Sequence, residues 1–218
     1  HLASSTAADL LKRMRAAGTP LGEYVKDRIF YGVKTGLNEA WVDGKGCVYV
    51  KGEERPKDAV RHGVFVISGE ERAELIAADP KSAEIIKPLA MGRDVGRWCV
   101  ASRDKWLIFT RRGIDIDRYP AVKKHLTRWK GVLTPKKAGD GADAPGRKPG
   151  SYKWYEIQDE VAYFEEFASP KIVYPVIAQK PTFALATGSE FCNDKAYIIG
   201  SADLYLLAVL NSSCFWHF

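Results

Sequence analysis

The β-rich runs of this chain are short and irregularly placed, and that most constrains what it can fold into. GVFVIS (63–68), KWLIFT (105–110), KIVYPVIA (171–178), PTFALAT (181–187) and KAYIIG (195–200) carry the branched and aromatic residues of strands. Helical and strand patterns cluster between them without the regular βαβ beat of a doubly wound fold. The pattern predicts an α+β domain, a mixed twisted sheet with flanking helices and a C-terminal helical element.

Local signals fill in the rest. Ala8, Leu11 and Met14 sit at helical spacing, and Gly18-Thr19-Pro20 follows as a stop, which predicts a helix over 5–17. IFYGVKTGLNEAWV (29–42) reads as two short strands around a Lys34-Thr35-Gly36 turn, and CVYVKG (47–52) as another strand. Ser68, with Glu70 and Glu71 in the first turn, suits the start of a helix running to Ala78. Asp79-Pro80 restarts a short helix toward Ile86, and LAMGRDVGRW (89–98) reads as loop. Tyr119-Pro120 starts a helix that places Val122, Leu126 and Trp129 on one face. Gly139 to Gly150 is rich in Gly, Ala, Asp and Pro and is expected to be a mobile loop. Further helices are expected over 161–167 and 203–210.

Charge is unevenly distributed. From Arg93 to Lys153 there are 16 Lys or Arg against 6 Asp or Glu, whereas the whole chain is only +6. The rest of the chain is therefore about −4 by the same count. The basic stretch is interleaved with Trp98, Trp106, Tyr119, Trp129 and Tyr152, and Trp154 follows directly, a combination that suits a nucleic-acid surface.

Catalytic signatures are missing from the sequence. It has no G-x-x-x-x-G-K-S/T loop, no G-x-G-x-x-G and no G-x-S-x-G. Cys47, Cys99, Cys192 and Cys214 form no C-x-x-C pair and read as reduced, buried thiols. Asp115/Asp117 and Glu165/Glu166 could ligate magnesium, but read better as solvated faces or partners for Arg111, Arg112 and Arg118. No apolar run reaches membrane-spanning length, so no membrane partner is expected. The first residue is not Met and the last residues are the apolar run NSSCFWHF, so the chain reads as a fragment of a longer protein.

DNA recognition needs cations for phosphates and amide, guanidinium or carboxylate groups for base edges. Lys34, Arg93, Arg111, Arg147 and Lys148 are the expected phosphate contacts, with Thr35 in the Lys34 turn. Asn38, Arg112, Tyr152, Lys153, Trp154 and Asn193 are the expected base or stacking contacts.

An ordered series of motifs then carries a family resemblance. YGVKTGLNEAWV, IIKPLAMGRDVGRW and WLIFTRRGIDIDRYPAVKKHL are followed by GRKPGSYKWYEIQ, PKIVYPVIAQKPTFAL, AYIIG and YLLAVLNS. The series resembles the TaqI-like C-terminal specificity domain of adenine-specific DNA methyltransferases, which occur in restriction–modification and related phage-defence systems. The resemblance runs from Tyr24 to Phe218. It implies a double-stranded DNA target-recognition domain over 21–203. Residues 1–20 would be a helix and linker from an upstream domain, and 204–218 the start of a helical connector. It further implies a separate methyltransferase domain that binds S-adenosylmethionine, possibly fused to a nuclease, in a prokaryotic cytoplasm. This chain has no Asn-Pro dipeptide, so the methyltransferase Asn-Pro-Pro motif is absent from it, and no cofactor is expected here. The family pattern places an acid after the Lys-Pro pair where Ala186 stands, and a Thr where Lys195 stands, departures that bear on the target sequence. Rival readings are a protein-interaction module of a defence complex and, with less support, a nuclease.

Overall fold

The computed structural model describes residues 5–141 and 144–216. Its strands form three sheets. The largest has the order β1 (Ile29–Tyr31), β12 (Ala196–Ile199), β9 (Lys171–Pro175), β10 (Ala184–Ala186), β7 (Trp98–Cys99). Its neighbours are antiparallel except for β7, which runs parallel to β10. The second has the order β11 (Phe191–Cys192), β6 (Ile86–Ala90), β8 (Lys105–Ile108), β5 (Val66–Ser68). The third is small: β3 (Val48–Tyr49), β2 (Glu39–Val42), β4 (Val60–Gly63). Mixed sheets with flanking helices give the α+β architecture that the irregular strand spacing implies.

The longer helices begin where the sequence signals them, whereas the one-turn helices at 21–24, 130–133 and 213–216 carry no such signal. Helix α1 is Ser5–Ala17, and the one-turn α2 is Leu21–Tyr24. Helix α3 (Gly69–Ala78) opens on a capping box. The Glu71 amide donates to Ser68 Oγ at 3.2 Å, and the Ser68 amide to Glu71 Oε2 at 2.8 Å. Helix α4 (Pro120–Thr127) has Pro at its first position and buries Val122 and Leu126, with Trp129 buried just beyond. The single turn α5 is Lys130–Leu133. These side chains join Phe65, Ile67, Leu107, Ile108, Ile157 and Phe167 in the main core. Helix α6 (Leu204–Leu210), capped by Asp203, packs Leu206, Leu207 and Leu210 on Ile172, Ile199 and Val25 in a second cluster, and α7 (Ser213–Trp216) follows.

Several local expectations need correction. Residues 29–42 do not form a hairpin, because β1 and β2 belong to different sheets. The chain crosses between them beside β11, where the Val33 amide donates to the Cys192 carbonyl at 2.7 Å. Gly32 lies so close to this segment that a Cβ would sit 2.0 Å from the Asn193 carbonyl oxygen. In GVFVIS the ladder ends at Gly63 and resumes at Val66, so one expected strand is the end of β4 and all of β5. Much of LAMGRDVGRW is structured: Leu89 and Ala90 end β6, Gly92–Asp94 is a 3-10 turn, and Trp98 opens β7. The misleading signal is the pair of glycines, Gly92 and Gly96. The ladder to β8 occupies Ile86–Pro88 and the ladder to β11 occupies Leu89–Ala90, so proline sits where one partner replaces the other. The helix expected over 161–167 is reduced to a 3-10 turn, Phe164–Phe167.

Only Cys192 of the four thiols is buried; Cys47, Cys99 and Cys214 are exposed. Burial pushes the Cys192 thiol up to about 12. The carboxylates considered for magnesium take other partners than expected: Asp117 pairs with Lys123, and Glu166 with Arg28 at 2.6 Å. No cluster of His, Cys, Asp and Glu fit to hold a metal occurs among the described residues, and no helix there is long and apolar enough to cross a membrane.

Candidate nucleic-acid interface

A cleft of about 760 Å³ opens where the small sheet meets the 34–38 segment, the turn after β6 and the chain around Arg147. Lys34, Lys51, Arg61, Arg93, Lys105, Arg147 and Lys148 line it, against the acids Glu39 and Asp194. Thr35, Asn38 and Gln158 add polar groups. Segments far apart in sequence thus converge on one cationic surface, where positive potential reinforces.

The wall of the cleft is built on Arg147, which is only 4% exposed. Its Nε donates to the Leu133 carbonyl at 2.8 Å. Nη1 donates to the carbonyls of Thr35 and Glu156, both at 2.8 Å. Nη2 donates to those of Lys153 at 3.3 Å and Trp154 at 3.0 Å. The guanidinium also lies 4.5 Å from the ring centre of Tyr152 and 5.3 Å from that of Phe65. Burial pulls its pKa down to about 10, so it stays a cation at neutral pH. Beside it Arg112 donates to the carbonyls of Ile157 at 3.0 Å and Gln158 at 2.7 Å, and stacks over Tyr152 at 4.8 Å. Two cations share this site because buried Glu156 lies 3.7 Å from Arg112. The Glu156 carboxylate is held by the amides of Gly113 at 3.0 Å and Lys153 at 2.8 Å.

These contacts sort the residues expected to touch DNA. Lys34, Asn38, Arg93 and Lys148 line the cleft, and Arg93 and Lys148 are exposed. Arg147, Tyr152 and Asn193 are buried, so in this conformation they brace the surface from beneath. The Tyr152 hydroxyl donates to the Lys148 carbonyl, and the Gly92 amide donates to Asn193 Oδ1 at 2.9 Å, fixing the turn that presents Arg93. Thr35 is buried and donates to Asn38 Oδ1 at 2.6 Å. The Gly139–Gly150 loop is therefore anchored at Arg147, whose amide and carbonyl bond to Thr134 and Lys136; residues 142–143 of the expectation lie outside the described residues. Arg111 is exposed but lines a different depression, with Lys87, Arg118 and Glu84, over the ring of Phe164. Lys153 is exposed, and Trp154 is half-buried, edge-on to Tyr155.

Lys51, Arg61, Lys105 and Gln158 were not expected at the site. Lys51, in the turn after β3, and Arg61, in β4, come from outside the basic stretch, and no local composition marks them. Arg61 is held by Glu39 at 2.6 Å.

No family model matches this sequence, and no curated protein matches it. Among solved structures it is similar to the Type IIL restriction-modification enzyme MmeI, determined in complex with DNA. The TM-score is 0.48 at 16% identity, over 84% of this chain and 20% of that one. The chain thus spans about a fifth of the length of that enzyme.

Proposed function

We propose that this chain recognises double-stranded DNA and serves as the target-recognition domain of an adenine-specific DNA methyltransferase of a restriction–modification or related defence system. The observation that carries the DNA reading is the cleft, in which six cations besides the buried Arg147 face two acids. Lys34, Arg93 and Lys148 would neutralise phosphates, releasing counterions and fixing register. Asn38 would read base edges from the cleft wall. The methyltransferase assignment rests on the motif series from YGVKTGLNEAWV to YLLAVLNS. In that role the domain holds the duplex while a separate domain, which binds S-adenosylmethionine, turns the adenine out of the stack. Two experiments test the two parts. Titration of the chain with labelled duplexes tests DNA binding. Mapping methylated adenines in DNA from cells that express the intact protein tests the class, and a single recurrent motif is expected.

A further inference from the structure

Gln158 is a firmly held amide that lines the cleft. Its own amide N–H donates to the Thr35 carbonyl at 3.2 Å, and its carbonyl accepts from Arg112 Nη2 at 2.7 Å. The flanking residues are fixed as well. The Ile157 amide donates to the Thr110 carbonyl at 2.9 Å, and the Asp159 amide to the Lys34 carbonyl at 3.2 Å. Four hydrogen bonds to the backbone of three consecutive residues therefore fix the position from which the side chain enters the cleft. Such a base suits a group that must meet a partner at fixed geometry.

The side chain is oriented too. Nε2 donates to Asp159 Oδ1 at 3.2 Å, and a carboxylate only accepts, so the nitrogen end of the amide is the end that faces Asp159. That leaves Oε1 and the second N–H of Nε2. Oε1 lies against Gly36, where a Cβ would come within 2.8 Å of it, so glycine at that position is what lets the amide sit there. One acceptor next to one donor complements the N6 amino group and N7 of adenine in the major groove.

On the reading of the cleft as a DNA site, we infer that Gln158 is a specificity-determining residue that selects adenine at one position of the recognised sequence. The phosphate contacts bring the duplex to the cleft, and the pinned amide reads one base pair within it.

The test uses the full 218-residue chain. Duplexes are selected from a randomised library by the unaltered protein, Gln158→Ala and Gln158→Met; the last keeps side-chain length without the amide. The selected motif should contain an adenine whose preference falls about tenfold in both variants, with the other positions and the salt dependence kept. Replacing that adenine by 7-deazaadenine should weaken the unaltered protein about tenfold and leave both variants unchanged. If the variants select the same motif with the same discrimination, or 7-deazaadenine weakens all three proteins equally, the inference is wrong and the DNA reading stands. Binding without any sequence preference also overturns it. Failure of the unaltered protein to bind any duplex would overturn the DNA reading itself.

Discussion

Arg147 and Thr35 are 112 residues apart, yet the guanidinium of one donates to the carbonyl of the other at 2.8 Å. The same guanidinium holds the carbonyls of Leu133, Lys153, Trp154 and Glu156. Removing it would leave these oxygens without their shared donor and open a cavity against Phe65 and Tyr152. Arg147→Ala should cost about 3 kcal/mol or more of stability by urea denaturation. Arg147→Lys keeps the charge but loses the planar fork, and should fall between the two proteins.

The capping box at Ser68 makes a separate prediction. Ser68→Ala removes the hydroxyl that accepts from Glu71 and should cost about 1 kcal/mol in the same measurement. The cap is remote from Arg147 in its contacts, so the two losses should add in the double variant.

His125 should make stability depend on pH. Burial holds its pKa below the ordinary 6.5, opposed by the hydrogen bond of Nε2 to the Val64 carbonyl at 3.0 Å and by Glu71. Arg128 and His62 add to the lowering. Because the folded state binds the proton less well than the unfolded state, this contribution is full above 6.5 and is lost as pH falls below it. Unfolding midpoints from pH 7.5 to 5 should therefore fall, and the fall should be smaller in His125→Gln.

How far the sequence could be read depended on the range of the forces involved. Elements set by local chemistry were legible: the Ser68 cap, the Pro120 helix start and the buried face of Val122, Leu126 and Trp129. The pairing of β1 with β12, and the departure of β2 into another sheet, depend on contacts across the whole chain, and a turn at Lys34 looked sufficient to make a hairpin. The motif GRKPGSYKWYEIQ was visible as basic and aromatic, features shared by a DNA contact and a buried arginine cluster. Only burial separates Arg147 from Lys148, its neighbour in the chain. Lys51 and Arg61 were invisible because the small sheet, and no local pattern, brings them to the cleft.

The most direct test of the cleft as the DNA site is the salt dependence of duplex affinity, measured by fluorescence anisotropy on a labelled duplex. The unaltered chain should lose affinity steeply as salt rises, and the triple variant Lys34→Ala, Arg93→Ala, Lys148→Ala should reduce the slope of log affinity against log salt by about 2 to 3. Arg111→Ala, in its separate depression, should leave that slope unchanged. No binding by the unaltered chain, or an undiminished slope in a folded triple variant, would contradict the account.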